Sequence, residues 1–369
     1  MTMTNSMKTI HINTASPYDV HIGSGLLNSM NQLLPARILN AAAAGGKAVL
    51  ITDTNVESLY GERVCTALAG LGFHVLKAVI PAGEEAKSGE QYLRLLSFMA
   101  AERVSRSDVI FALGGGVVGD LSGFLAATYQ RGIDFVQLPT TLLAAVDSSV
   151  GGKTAINLPE GKNLAGAFKQ PACVIMDTDT LETLDKSVFA DGCAEVIKYG
   201  MIWDGELFEV LQNHVLTENE QRKNTALLTD VISRCVDIKR EIVIQDELDK
   251  GIRNILNFGH TVGHSIEKNS GFEISHGRAV AMGMAIITEA AEKAGICQAG
   301  IGEELRELLT GYGLPVEAPF TVEDLLEGML SDKKIEGQKI NLIVPQQIGC
   351  CIIRRMSVSN AQRLLAGEA

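Results

Sequence analysis

Residues 108–124 read DVIFALGGGVVGDLSGF, and how this stretch is read decides the fold. An apolar, β-branched run enters a cluster of glycines and leaves as a helix-compatible segment, the pattern of a strand, a tight turn and a helix. Gly114, Gly116 and Gly119 keep the G-x-G-x-x-G spacing. Glycines at such a turn let backbone N–H groups approach a pyrophosphate at a helix N-terminus, as in dinucleotide-binding α/β sheets. The same glycines would equally serve close helix–sheet packing. FVQLP (135–139) ends the next apolar run without the acidic residue of a full nucleotide fingerprint.

Further apolar runs flank this stretch. KAVLITD (47–53), FHVLKAVIP (73–81) and IDFVQLPTT (133–141) read as strands, and NVESLYGERVCTALAGLG (55–72) as a helix between two of them. This alternation predicts parallel βαβ units. ILNAAAAGGK (38–47) reads as a surface loop. Asp53 and Asn55, at the end of a strand, stand where a ribose or adenine contact falls in an open sheet, and equally where a helix N-cap falls. After about residue 185 the pattern changes to helical periodicity, in ADGCAEVIKYGMIW, NTALLTDVISRCVDIKREIVIQ, GRAVAMGMAIITEAAEKAG and EDLLEGMLSDKK. The tail QKINLIVPQQIGCCIIRRM is compatible with a strand pair. The expected architecture is an α/β, Rossmann-like nucleotide-binding domain over 1–180. An all-α, metal-binding domain follows over 181–369, with a small-molecule cleft between them.

Composition narrows the function. A formal charge of −12 argues against a nucleic-acid partner, which needs a basic face. The longest uncharged apolar run, AVAMGMAII (279–287), is too short to cross a bilayer. Seven cysteines without a CxxC pair fit reduced thiols, and the expectation is a cytoplasmic protein. The start MTMTNSMKTIHI carries no apolar signal core, and Met7 is a candidate translation start.

Two segments carry candidate chemistry. DSSVGGKTAINLPEGKNLAGAFKQP (147–171) gathers Lys153, Lys162 and Lys169 with glycines and Asn163. It is not a P-loop, because the first glycine of that motif would fall on Asp147. An anion cradle and a solvated loop both fit it. ILNFGHTVGHSIE (255–267) places His260 and His264 one helical turn apart, with His276 nearby. The zincin motif fails, since Thr261 stands where its glutamate belongs. Glu195 lies in an apolar run, where an unpaired charge would be costly, and is the best carboxylate to complete a metal site of two histidines and one acid. Spacing leaves open which two histidines ligate.

These motifs occur together and in order. LGGGVVGD, RGIDFVQLPTTLLAAVDSSVGGKTAIN, GKNLAGAF, GCAEVIKYG, GIRNILNFGHTVGHSIE, SHGRAVAMGM and SDKK give a chain that, from about residue 47 onward, resembles the 3-dehydroquinate synthase family of sugar phosphate cyclases. The resemblance implies NAD+ and Zn2+ as cofactors (Co2+ suits the same ligands), a sugar phosphate substrate and a homodimer. It implies Glu195, His260 and His276 as metal ligands, with His264 and Asp249 acting in catalysis. The implied nucleotide contacts are Asp53, Asn55, Glu84, Lys87, Gly115, Gly116, Val117, Asp120, Thr140, Thr141, Lys162, Thr180 and Thr183. The implied substrate contacts are Asp147, Lys153, Asn163, Lys198, Lys239, Arg253, Asn257 and Lys333, with Arg131 reaching the partner subunit. The chain departs from the family pattern twice. Asp249 replaces a glutamate one methylene longer, and Cys193 replaces a larger apolar residue behind Glu195.

Overall fold

The computed structural model describes residues 7–330 and 339–367. Lys333 and the rest of SDKK lie outside the described residues. The chain divides into two compact units, one of Met1–Leu184 with Asn224–Arg240, the other of Asp185–Lys223 with Glu241–Ala369. The segment at 224–240, a helix read with the C-terminal half, therefore groups with the N-terminal unit.

The first unit is built on a seven-stranded sheet among the described residues, in the order β1-β2-β9-β6-β5-β3-β4. Its strands are β1 (Lys8–Ile12), β2 (Tyr18–Gly23), β3 (Lys47–Asp53), β4 (His74–Ile80), β5 (Val109–Gly114), β6 (Asp134–Pro139) and β9 (Cys173–Asp177). All neighbours pair in parallel except β1 and β2. Because side chains alternate along a strand, Leu50, Phe111 and Val136 pack into one core, and Ile51, Ile110 and Phe135 into another. A sheet buried on both faces needs continuous apolar strands, which is why β3 and β5 are readable in the sequence. The chain order turns between β3, which continues to β4 on one side, and β5, which continues to β6 on the other. Such a switch point is where open α/β sheets receive ligands, at the carboxyl ends of the strands.

Two local expectations are corrected. ILNAAAAGGK is not a loop over most of its length, since Ala36–Ala43 is a helix that buries Ile38 and Ala42, one turn apart. Alanine has the highest helix propensity, and the glycines end the helix instead of opening a loop. The lysine-rich segment is not an irregular loop either. It forms the antiparallel hairpin β7 (Lys153–Leu158) and β8 (Gly161–Phe168), paired from Lys153↔Phe168 inward.

The second unit is helical, with one addition to an all-α plan: β10 (Lys339–Gln347) and β11 (Cys350–Ser357) form an antiparallel pair. The helix His276–Lys293 packs against both His260–Asn269 and Lys186–Ile202. Two glycines permit this approach. A Cβ on Gly277 would stand 2.1 Å from the backbone oxygen of Asp191. Gly259, at φ 77°, caps the helix that begins at His260, and a Cβ there would meet Met284 Cγ at 2.5 Å. Left-handed backbone and lack of room both require glycine there. No helix among the described residues is long and apolar enough to cross a membrane.

Candidate active site

Three helices of the second unit bring one acid and two imidazoles together. Glu195, in the buried run Gly192–Ile202, is fully enclosed. His260 Nε2 stands 3.3 Å and His276 Nε2 3.1 Å from the same oxygen, Glu195 Oε1. The other carboxylate oxygen faces Lys198 Nζ, itself 1% exposed. The ligand atoms of Glu195, His260 and His276 all lie within 4.8 Å of one another. His264 sits beside them, its ring centroid 5.7 Å from that of His260 and 6.2 Å from that of His276.

The electrostatics follow from burial and pairing. Burial drives the His260 imidazole down to about 4 against the pull of Glu195, so it is neutral at pH 7. Burial also opposes charge on His276, but hydrogen bonding to Glu195 and to Glu267 outweighs it and lifts this ring to about 10. Glu195 stays ionised: burial opposes this, yet Lys198, His260 and His276 hold its carboxyl well below the usual range. Without a cation, the protonated His276 supplies positive charge at the centre.

A divalent ion fits this donor set. The Nδ1 of His260 faces the Phe258 carbonyl at 3.0 Å, and the Nδ1 of His276 faces Glu267 Oε2 at 3.2 Å. Both rings can thus keep the proton on Nδ1 and turn an Nε2 lone pair inward. Two neutral nitrogens and one carboxylate suit zinc or cobalt and leave positions for a substrate. Glu267 was not identified from the sequence. The signal was present, since His260, His264 and Glu267 stand at i, i+4 and i+7 on one helix.

The expected nucleotide residues of the first unit collect at the carboxyl ends of the strands. The helix Gly116–Thr128 begins directly after β5 with Gly115 as its N-cap and no side-chain cap, leaving Gly116 and Val117 in an uncapped first turn. A Cβ on Gly115 would stand 3.0 Å from Thr141 Cγ2, so a larger residue there would make the Thr141 side chain give way. Of the expected residues, Thr140 has a buried hydroxyl without a hydrogen-bond partner among the described residues. These features fit a nucleotide. Other members of the set have protein partners. Asp53 caps the turn after β3 by accepting from the N–H groups of Asn55 and Val56, at 2.9 and 3.0 Å. Thr180 Oγ1 donates to the Asp177 carbonyl, and the Thr183 hydroxyl pairs with Tyr60 Oη at 2.7 Å. Lys162 lies in the partly exposed β8.

The structure joins nucleotide and substrate candidates in one network. Lys87 Nζ, 4% exposed, donates to Asp120 Oδ2 and to Asn163 Oδ1, each at 2.5 Å. Burial raises the Asp120 carboxyl even with Lys87 beside it. Asn157, also missed in the sequence, ties the hairpin to this loop. It donates Nδ2 to Glu84 Oε1 at 2.8 Å and its N–H to the Lys87 carbonyl at 2.7 Å, and accepts from the Asn163 N–H at 2.9 Å. Asn163 has φ 56°.

The remaining substrate candidates are held in different ways. Lys239 Nζ donates to the carboxylate of Asp147 at 2.7 Å and to its carbonyl at 2.6 Å. In the second unit, Arg253 is 2% exposed and donates Nη1 to the Glu247 carbonyl at 2.7 Å. Asp246 organises that turn by accepting from the N–H groups of Lys250, Gly251 and Arg253. Asp249, at φ 56°, is half-buried in the same turn, and Asn257 ends the 3₁₀ segment Ile252–Asn257. Lys153 is exposed, as is Arg131, which sits in left-handed backbone with φ 67°. Cys193 is fully buried and its thiol is pushed up by burial, which makes it a packing residue and a poor nucleophile.

The fold is that of the sugar phosphate cyclases. It superposes with a TM-score of 0.85 on 2-epi-5-epi-valiolone synthase from Streptomyces hygroscopicus subsp. jinggangensis 5008, solved with NAD+ and Zn2+ bound. That pair is 28% identical and covers 98% of this chain and 100% of the other. A 2-deoxy-scyllo-inosose synthase, complexed with carbaglucose-6-phosphate, NAD+ and Co2+, superposes at 0.86 over 98% and 99% of the two chains, with 23% identity, a likeness of fold. Sequence is more specific. The 3-dehydroquinate synthase N-terminal family model matches residues 77–191 and the C-terminal model residues 192–335. A 3-dehydroquinate synthase from Acaryochloris marina (strain MBIC 11017) is 42% identical over 336 residues, 90% of each chain. The chain belongs to the 3-dehydroquinate synthase family.

Proposed function

We propose that this chain converts 3-deoxy-D-arabino-heptulosonate 7-phosphate to 3-dehydroquinate and phosphate, as a carbocycle-forming lyase. The observation that carries the reading is the 42% identity across 90% of both chains to a 3-dehydroquinate synthase, well above the 28% to a valiolone synthase. NAD+ supplies transient oxidation and return of hydride at C5, and a divalent ion, zinc by preference, polarises the oxygen at that carbon. NAD+ belongs with Asp53, Asn55, Glu84, Lys87, Gly115 to Val117, Asp120, Thr140, Thr141, Lys162, Thr180 and Thr183, all in the unit of Met1–Leu184 with Asn224–Arg240. The metal belongs with Glu195, His260 and His276, in the unit of Asp185–Lys223 with Glu241–Ala369.

The chain's own residues divide the remaining work. Lys153, Lys239, Arg253 and Lys333 neutralise the substrate's phosphate and carboxylate, so a chain of net charge −12 can hold an anion, and Lys198 contacts the substrate beside Glu195. Asp147, Asn163 and Asn257 orient its polar groups. His264, beside the metal ligands, steadies the phosphate or moves a proton. The departing phosphate can take the C6 proton, which leaves Asp249 a supporting part in proton transfer. The same reading makes the protein a cytoplasmic homodimer in which Arg131 reaches the partner's site.

The test is product balance. Purified protein with NAD+, Zn2+ and the heptulosonate phosphate should release phosphate one-for-one with dehydroquinate, with no net rise in NADH absorbance. Steady NADH accumulation would replace the reading with that of a polyol dehydrogenase. Phosphate release without dehydroquinate, or turnover of a different sugar phosphate alone, would replace it with another cyclase.

A further inference from the structure

Glu267 belongs to none of the sets assigned from sequence, yet it is 4% exposed and lies three residues beyond His264 on the helix His260–Asn269. Its Oε2 stands 3.2 Å from His276 Nδ1, while Nε2 of the same ring stands 3.1 Å from Glu195 Oε1. An imidazole that ligates through Nε2 keeps its proton on Nδ1, and a buried carboxylate needs a donor to offset its lost hydration. We infer that Glu267 is a positioning residue for the metal site, accepting the Nδ1–H of His276 and so fixing the tautomer and ring plane that present Nε2 inward.

The two ligand histidines are held differently. His260 leans on a neutral carbonyl, that of Phe258, and its side chain is 11% exposed. His276 leans on a charged carboxylate, and its side chain is 33% exposed. The carboxylate raises the basicity of the ring more than a carbonyl does. Glu267 therefore reinforces the imidazole that water can most easily detach. His264, Glu267 and His276 also offer three donor atoms within 4.8 Å of one another, which raises the competing idea of a second cation. A cation there would compete for the Glu267 carboxylate that already faces His276 Nδ1 at 3.2 Å.

This inference rests on the metal reading above, and its test separates the two. The metal affinity of the full chain is measured by competition between Zn2+ and a chromophoric chelator, and the Co2+ form by its visible absorption. E267A should bind Zn2+ roughly 10- to 100-fold more weakly than the wild type, with a shifted Co2+ band. E267Q, isosteric and still able to accept the Nδ1–H without charge, should fall between them and guards against a folding defect in E267A. NAD+ binding, which uses residues of the other unit, should be the same in all three. Equal Zn2+ affinity and an unchanged Co2+ band in both variants would overturn the inference while leaving the metal reading intact. So would two ions per wild-type chain falling to one in E267A. A wild-type chain that retains no stoichiometric metal would overturn the metal reading, and this inference with it.

Discussion

At the scale of single residues, the question is how one helix uses two histidines four positions apart. His260 points Nε2 at Glu195 Oε1, while His264 stands one turn further along the same helix, its ring centroid 5.7 Å from that of His260. Their neighbours separate them further, since burial holds His260 neutral as a ligand must be. Substitution should therefore give two phenotypes. His260→Ala removes a donor from a three-residue set, and the purified variant should lose its metal in elemental analysis. His264→Ala should keep one metal ion per chain and lose turnover by ~10²–10⁴-fold, the range for a positioned proton-transfer group. Equal metal loss in both would show that the division of labour is misassigned. Glu195 extends the argument, because Glu195→Gln removes the anion that balances Lys198. With both buried, that variant should lose stability as well as metal, read as a lower thermal midpoint.

At the scale of elements, the site depends on three helices approaching more closely than ordinary side chains allow. Gly277, next to His276, meets the backbone of Asp191, four residues before Glu195. Gly277→Ala places a methyl group 2.1 Å from a backbone oxygen, so one helix must move. The expected cost is about 1–3 kcal/mol, as for an overpacked core, with weaker metal retention because His276 and Glu195 move apart. A urea midpoint and metal content equal to those of the wild type would count against this account. The glycines were readable as helix punctuation, but their role as contact points depends on which helices are neighbours, and periodicity does not specify that. Exposure explains the other misreadings. β8 has no buried position, so nothing along GKNLAGAF marks one of its faces as a core face. β3 and β5, covered on both faces, are continuous apolar runs and could be recognised.

At the scale of the molecule, the residues proposed for the nucleotide fall in one unit, and Glu195, His260 and His276 in the other. Much of this was legible in sequence, because strand alternation and helical periodicity are local properties. The choice of Glu195 was also legible, since an acid inside an apolar run must be paired. Glu267 and Asn157 were not, as each acts through a partner that only the fold brings near, His276 for one and Glu84 for the other. The separation leads to a test on the whole protein. Exhaustive chelation should abolish turnover while leaving NAD+ binding within about threefold, because the residues assigned to the nucleotide do not include the triad. Re-addition of Zn2+ or Co2+ should restore turnover, since either ion accepts two nitrogens and one oxygen. Chelated protein that remains fully active would remove the metal from the chemistry. Chelated protein that loses NAD+ in parallel with activity would mean that the triad and the nucleotide set are coupled, contrary to the independence argued here.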